Sequence, residues 1–174
     1  MPAWFFKIGL LTLLTLSAQA QEIRLTESEL QQQLQTLMPM QQQQGPLFII
    51  IDEPTLTLLS NRNRLSLTVR LQINSSLGLQ SRGWLTANSG IRYERQTHAF
   101  YLQDPELTEL QIEGMAPALQ AHLKPVIETW LMPALSQEPI YRLREDDMME
   151  AMARSFLQSV TVEDDALVLR LNML

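Results

Sequence analysis

Two stretches of this chain match each other in length, and the match limits what it can fold into. Met115–Ser136, MAPALQAHLKPVIETWLMPALS, places Met115, Leu119, Leu123, Val126, Ile127, Trp130 and Ala134 at three- and four-residue steps. That period stacks side chains on one face of an α-helix, about 33 Å long at 1.5 Å per residue. Gln120, Lys124 and Glu128 fall on another face and read as its wet side. Arg64–Ile73, RLSLTVRLQI, alternates strictly: Leu65, Leu67, Val69, Leu71 and Ile73 face one way, Ser66, Thr68, Arg70 and Gln72 the other. As a strand it spans roughly 33 Å. A long apolar stripe needs an equally long apolar surface to cover it, so the expected architecture is α+β, one long helix lying along an antiparallel sheet.

The remaining elements follow in order. Thr26 and Glu29 form a capping-box signature, followed by Leu30, Leu34, Leu37 and Met38 at helical spacing, with Gln31, Gln32, Gln33 and Gln35 on the wet side. That helix should fade before Pro39 or within Gln41–Gln44, and Gly45-Pro46 should end it. Leu47–Ile51 reads as a buried strand, broken at Asp52-Glu53-Pro54 and followed by a second short strand over Thr55–Ser60. Asn61-Arg62-Asn63 reads as a turn. Leu77–Ala87 has Leu77, Leu79 and Leu85 on one parity, and Gly83 suggests a bulge. Asn88-Ser89-Gly90 suggests a hairpin turn, Ile91–Leu102 a strand with a face-flipping bulge, and Glu106–Glu113 one strand more. In the long helix, Pro125 predicts a kink near Lys124, and Pro133 an end or second kink near Met132. Leu131 and Leu135 leave the main stripe, so a later segment should cover them unless they border an opening. Pro139–Leu143 reads as extended, Asp146 or Asp147 as the cap of a third helix, and Val160–Val162 with Leu167–Leu171 as a closing hairpin.

Residues 1–20 have the three-part pattern of a secretory leader: a charge at Lys7, an apolar run Ile8–Leu16, and Ser17-Ala18-Gln19-Ala20 before the cleavage point. The run is shorter than the roughly 20 residues that a membrane span needs. The expectation is therefore a cleavable signal peptide over 1–20 and one domain over 21–174. The chain has no cysteine, which removes thiolate metal sites, a thiol nucleophile and a lipidated cysteine. With a net charge of −6, nucleic acid is not an expected partner. Arginines concentrate at Arg62, Arg64, Arg70, Arg82, Arg92 and Arg95, and acidic residues in the last third.

At Pro139–Gln158 the chain reads PIYRLREDDMMEAMARSFLQ. Pro139-x-Tyr141-x-Leu143-Arg144-Glu145-Asp146, then Glu150-Ala151-Met152-Ala153, with Leu123-x-Pro125 and the start Thr26–Leu30, resemble the YceB-like family of bacterial envelope proteins. The order of elements agrees over nearly all of 21–174. The resemblance implies a fold related to tubular lipid-binding proteins: a long α-helix gripped by a curved antiparallel β-sheet, plus an N-terminal helix and a C-terminal helix and hairpin. It implies an envelope role, with lipid binding suggested by fold analogy. Members of that family are typically lipoproteins, whereas here Gln21 follows Ala20 and no cysteine is present. The expected product is therefore periplasmic and carries no lipid anchor.

No catalytic signature stands out. His98 and His122 lack metal-ligand spacing, the pairs Asp146-Asp147 and Asp164-Asp165 suit a helix start and a hairpin tip, and the methionines suit gap filling. No cofactor or metal is expected, and no enzyme. Two readings remain open. The first is a binding protein for lipid, fatty acid or another long apolar ligand. Its lining would be Leu65, Leu67, Val69, Leu71, Ile73, Leu119, Leu123, Val126, Ile127 and Trp130, with Arg82 and Arg92 at the rim for an anionic head group. The second is an envelope interaction or assembly factor with a filled core. It would act through the arginine-bearing outer face beside Trp84, in peripheral contact with the envelope membrane or its proteins.

Overall fold

The computed structural model describes residues 21–78 and 80–172, so the leader pattern of 1–20 and the expected parity of Leu79 lie outside the described residues. The chain enters as strand β1 (Gln21–Thr26) and turns into helix α1 (Glu27–Thr36). The capping box forms as its residues predict: Glu29 N–H donates to Thr26 Oγ1 at 3.3 Å and Thr26 N–H to Glu29 Oε2 at 2.7 Å. Leu30 and Leu34 are the buried face of this helix.

The glutamines Gln41–Gln44 do not prolong α1. They form β2 (Met40–Gln44), the edge of a sheet that continues as β3 (Leu47–Leu59), β4 (Arg64–Ser75), β5 (Gln80–Glu94) and β6 (Ala99–Ile112). After helix α2 (Pro117–Gln137), β7 (Pro139–Arg142) completes the six-stranded order β2-β3-β4-β5-β6-β7. Helix α3 (Met148–Phe156) and the hairpin β8 (Leu157–Glu163) and β9 (Ala166–Leu171) follow. That hairpin was expected; β1 on its other edge was not, and the three make a second antiparallel sheet ordered β1-β9-β8. The architecture is α+β, with a curled antiparallel sheet and, among the described residues, three α-helices.

Two breaks read from the sequence are absorbed inside longer strands. Asp52-Glu53-Pro54 is a bulge in β3, where the register with β4 shifts between Asp52 and Thr55 and Glu53 has φ 47. Asn88-Ser89-Gly90 is no hairpin. It is a bulged stretch of β5 opposite β6, and Ser89 is buried with its hydroxyl donating to Gln103 O at 2.9 Å. The chain reverses instead between Glu94 and Ala99. Turn-forming residues also suit bulges, so composition alone does not separate the two. Gly83 sits in regular register between Leu71 and Ile112. Its missing side chain has a different reason: a Cβ there would run into the carbonyl oxygen of Gln111.

Helix α1 closes one end of the curl. Strand β2 covers β3 only over Leu47–Ile51, so the far half of β3 has a free edge. Leu56 N–H donates to Gln31 Oε1 and Leu58 N–H to Glu27 Oε2, each at 2.8 Å. Across the gap Gln33 serves β7, accepting from Arg142 N–H at 2.8 Å and donating to Arg142 O at 3.1 Å. Gln31 and Gln33, expected on a wet side, are thus strand surrogates, whereas Gln32 and Gln35 are exposed as expected. The two surrogates bridge the two ends of the sheet and satisfy backbone groups that would otherwise lack partners.

Helix α2 returns along the inner side of β6. It runs unbroken through Pro125 and Pro133. Both prolines are exposed, as are Ala121 and Thr129, whose carbonyls the two missing N–H groups leave without a helical donor, so water can serve them. Its buried residues are Ile127, Leu131, Met132 and Leu135. The expected stripe is therefore rotated. Leu131 and Leu135 belong to the core, Gln120 bonds Ile112 and Met115 rather than water, and Leu119 and Val126 are 60% and 53% exposed. The helix is apolar on more than one side, so period alone cannot say which side the sheet takes.

Leu131→Ala should cost about 2–5 kcal/mol, the range for emptying a sealed core position. Leu119→Ala should cost about 0.5 kcal/mol or less. Urea melts of the two variants check this; equal losses would contradict the assigned helix face.

Candidate functional site

The end of the curl away from α1 is less filled. Three strands bring Ile49, Ile73 and Ser81 side by side in register, and Ser81 is the small member of that row. Opposite them, the first half of α2 presents Leu123, Val126, Ile127 and Trp130, with Met115 before the helix and Gln44 and Leu47 at the sheet edge. Together they line an apolar cavity of about 100 Å³ between helix and sheet. Trp130 and Leu123 are half-buried, and Val126 reaches the surface. Gln44 and Ser81 turn no polar atom to its wall, and an apolar cavity of this kind stays dry.

Of the expected lining, this cavity collects Ile73, Leu123, Val126, Ile127 and Trp130. Leu65, Leu67, Val69 and Leu71 belong to the closed core, each at most 2% exposed; they lie further along β4, where the curl is filled. Leu119 is on the outward flank of α2 and lines no wall of the cavity. Gln44, Leu47, Ile49, Ser81 and Met115 were not anticipated. The apolar run Leu47–Ile51 was the signal for two of them; no signal placed β2 beside the helix.

The rim arginines lie elsewhere. Arg82 is on the outer face of β5, in a polar hollow of about 480 Å³ with Gln72, Asn74, Gln80, Ser81 and Glu113. Arg92 pairs with Glu94 at 3.3 Å, and its guanidinium lies 5.0 Å from the centre of the Tyr101 ring. It borders a separate hollow of about 530 Å³ with Asp104, Glu128 and Met132. Strand parity explains both: Arg82 and Arg92 alternate with the inward-facing residues of β5. The same outer face carries Arg70, ion-paired with Glu53 and stacked 4.9 Å over Trp84.

Other candidate groups have local partners. His98 Nδ1 is 3.2 Å from the Tyr93 hydroxyl, and His122 Nδ1 is 2.7 Å from Ala118 O on its own helix. Among the described residues no group of three or more potential metal ligands converges.

The motif around Tyr141 and Glu150 forms a buried polar knot. Asp147 caps α3, its Oδ1 accepting from Met149 and Glu150 N–H at 2.9 and 3.0 Å. That start aims Glu150 inward, where it is 2% exposed. Its carboxylate accepts from the Tyr141 hydroxyl at 2.9 Å, from Arg144 N–H at 2.6 Å, and from Arg144 Nε and Nη2 at 2.9 and 2.7 Å. Burial, followed by the bond to Glu150, pushes the Tyr141 phenol well above its ordinary range. The knot braces β7 against α3, and its Tyr141 and Arg144 border a hollow of about 250 Å³ beside Glu29, Gln32, Gln33 and Thr36 of α1.

Arg144→Ala leaves a buried carboxylate with only two donors. The expected loss is about 3 kcal/mol, the low end for breaking a buried pair, because the Arg144 side chain is itself half exposed. Arg144→Lys should recover part of it. A thermal or urea melt reads both, and an unchanged Arg144→Ala midpoint would contradict the structural assignment.

A comparison with curated proteins finds no match. The sequence model of a family described as a protein of unknown function, DUF1439, matches residues 25–166, a span that runs from the end of β1 to the start of β9 and contains the cavity and the knot. The chain belongs to the DUF1439 family.

Proposed function

We propose that this protein binds the acyl chain of a lipid or fatty acid, or a similarly long apolar ligand, between α2 and the open end of the curled sheet. The observation that carries this reading is the cavity walled by Leu47, Ile49, Ile73, Leu123, Ile127 and Trp130, continued at the surface by exposed Val126 and Leu119. Its volume of about 100 Å³ is below the roughly 300–1,000 Å³ of pockets that enclose a whole drug-sized ligand. It therefore seats the end of a chain, while the rest lies along the apolar flank of α2. Each methylene removed from water contributes about 0.8 kcal/mol, so a chain binds here without a polar anchor. The role is binding rather than catalysis.

The resemblance of Pro139–Gln158 to YceB-like envelope proteins and the leader pattern of residues 1–20 support a periplasmic setting. Among the described residues no helix is long and apolar enough to cross a membrane. A second reading, an envelope assembly factor acting through its outer face, draws on the exposed Arg70–Trp84 stack and the filled core around Leu67 and Leu71.

The test is native mass spectrometry with lipid extraction of protein purified without detergent. Val126→Trp is the informative variant, because Val126 lines the cavity yet is exposed enough for the fold to tolerate a larger side chain. Leu67→Trp would overpack a sealed core instead. Co-purified fatty acid or phospholipid, lost in Val126→Trp, is the expected result. A ligand-free protein that takes up no fatty acid in either form would put the assembly-factor reading ahead.

A further inference from the structure

The turn between β4 and β5 carries Leu77, 90% exposed and the most exposed large apolar side chain among the described residues. Its placement sets it apart from a stray surface leucine. Ser76 N–H donates to Pro46 O at 3.0 Å, lacing this turn to the one between β2 and β3. The register pair Ile73 and Ser81, four residues to either side of Leu77, lines the apolar cavity. Leu77 is thus at the cavity end of the molecule.

The tip is also prepared to leave water. Leu77 N–H donates to Ser75 Oγ at 3.1 Å and Gly78 N–H to Ser75 O at 3.0 Å. With Ser76, three successive N–H groups have acceptors within the protein. A peptide donor carried into hydrocarbon without a partner is costly, and this tip has met that cost in advance. On the outer face behind it, the Arg82 side chain makes no ion pair or hydrogen bond among the described residues. Glu113 shares its hollow without pairing to it, and Gln72, Asn74 and Gln80 add neutral donors. An aliphatic tip with an unpaired guanidinium behind it matches the layering of a phospholipid surface, acyl chains at one depth and phosphates at the next. A protein partner would supply hydrogen-bond acceptors of its own and would not need the donors of the tip already satisfied.

We propose that the end formed by the β2–β3 and β4–β5 turns docks on a phospholipid bilayer, with Leu77 entering the acyl layer and Arg82 meeting lipid phosphate. The cavity mouth then faces the membrane. This rests on the reading of the cavity as an acyl-chain site and adds the route by which the chain reaches it.

The test is co-sedimentation of the full chain with vesicles of phosphatidylethanolamine and phosphatidylglycerol, beside uptake of the fluorescent fatty acid cis-parinaric acid. Leu77→Asp should lower vesicle binding at least about tenfold, and Arg82→Gln by a smaller factor. Both should leave fatty-acid uptake and the melting midpoint unchanged, since neither side chain is buried. Wild-type protein that stays off the vesicles, or Leu77→Asp binding them as wild type does, overturns the docking. Uptake without vesicle binding would reject the docking and keep the cavity reading. Vesicle binding through Leu77 without uptake would do the reverse.

Discussion

Two glutamine side chains hold this fold in its shape. Gln31 and Gln33 on α1 bond the free backbone of β3 on one side and of β7 on the other. A side-chain amide carries an N–H donor and a carbonyl acceptor side by side, as a peptide group does, so it can replace a neighbouring strand. Glu27 adds a third bond at Leu58. The bonds at Leu56 and Leu58 are part-buried, and leaving those two groups unpaired would cost roughly 1–3 kcal/mol each. The sheet therefore curls until its two ends meet α1, and the closed end fills with Leu56, Leu67, Leu107, Leu131 and Leu135.

Closing one end leaves the other open. Strand β2 extends the sheet beyond the reach of α1, and the first half of α2 lies over it with apolar residues on both flanks. Ile127 faces the sheet, Leu119 faces out, and Val126 lies between them, lining the cavity where it meets the surface. The same helix is thus a core element at its end and a cavity wall at its start. The small residue Ser81 on β5 leaves space at the open end; deeper in the curl, Leu85 fills it. The Glu150 knot fixes β7 and α3 at a distance from this site, which accounts for a recognisable motif that contributes nothing to the cavity.

The long elements were legible in the sequence because each obeys one period over many residues. The alternation of β4, the capping box of α1, the aspartate cap of α3 (Asp146 or Asp147 by sequence, Asp147 in the structure) and the last hairpin all emerge from local pattern. Half of the cavity lining, Ile73, Leu123, Val126, Ile127 and Trp130, was legible for the same reason. What failed depends on contacts distant in sequence. The polar side of α1 is chemically identical whether Gln31 meets water or the backbone of β3. Gln41–Gln44 has no apolar period, and only its pairing with Leu47–Ile51 makes it a strand. Asn88-Ser89-Gly90 suits a turn or a bulge, and the partner strand β6 decides. The face of α2 could not be chosen because Leu119 and Leu131 are equally apolar, and the curl of the sheet selects one.

The central claim is that an acyl chain enters between α2 and the open end of the sheet, and Trp130 reports on it directly. In a Trp84→Phe variant of the chain beginning at Gln21, Trp130 is the only tryptophan. Titration with a fatty acid brominated near its methyl end should then quench the tryptophan emission saturably, and competition by an unbrominated fatty acid of the same length should restore it. Emission that stays constant through the titration, or falls equally with a water-soluble bromide, would contradict the account.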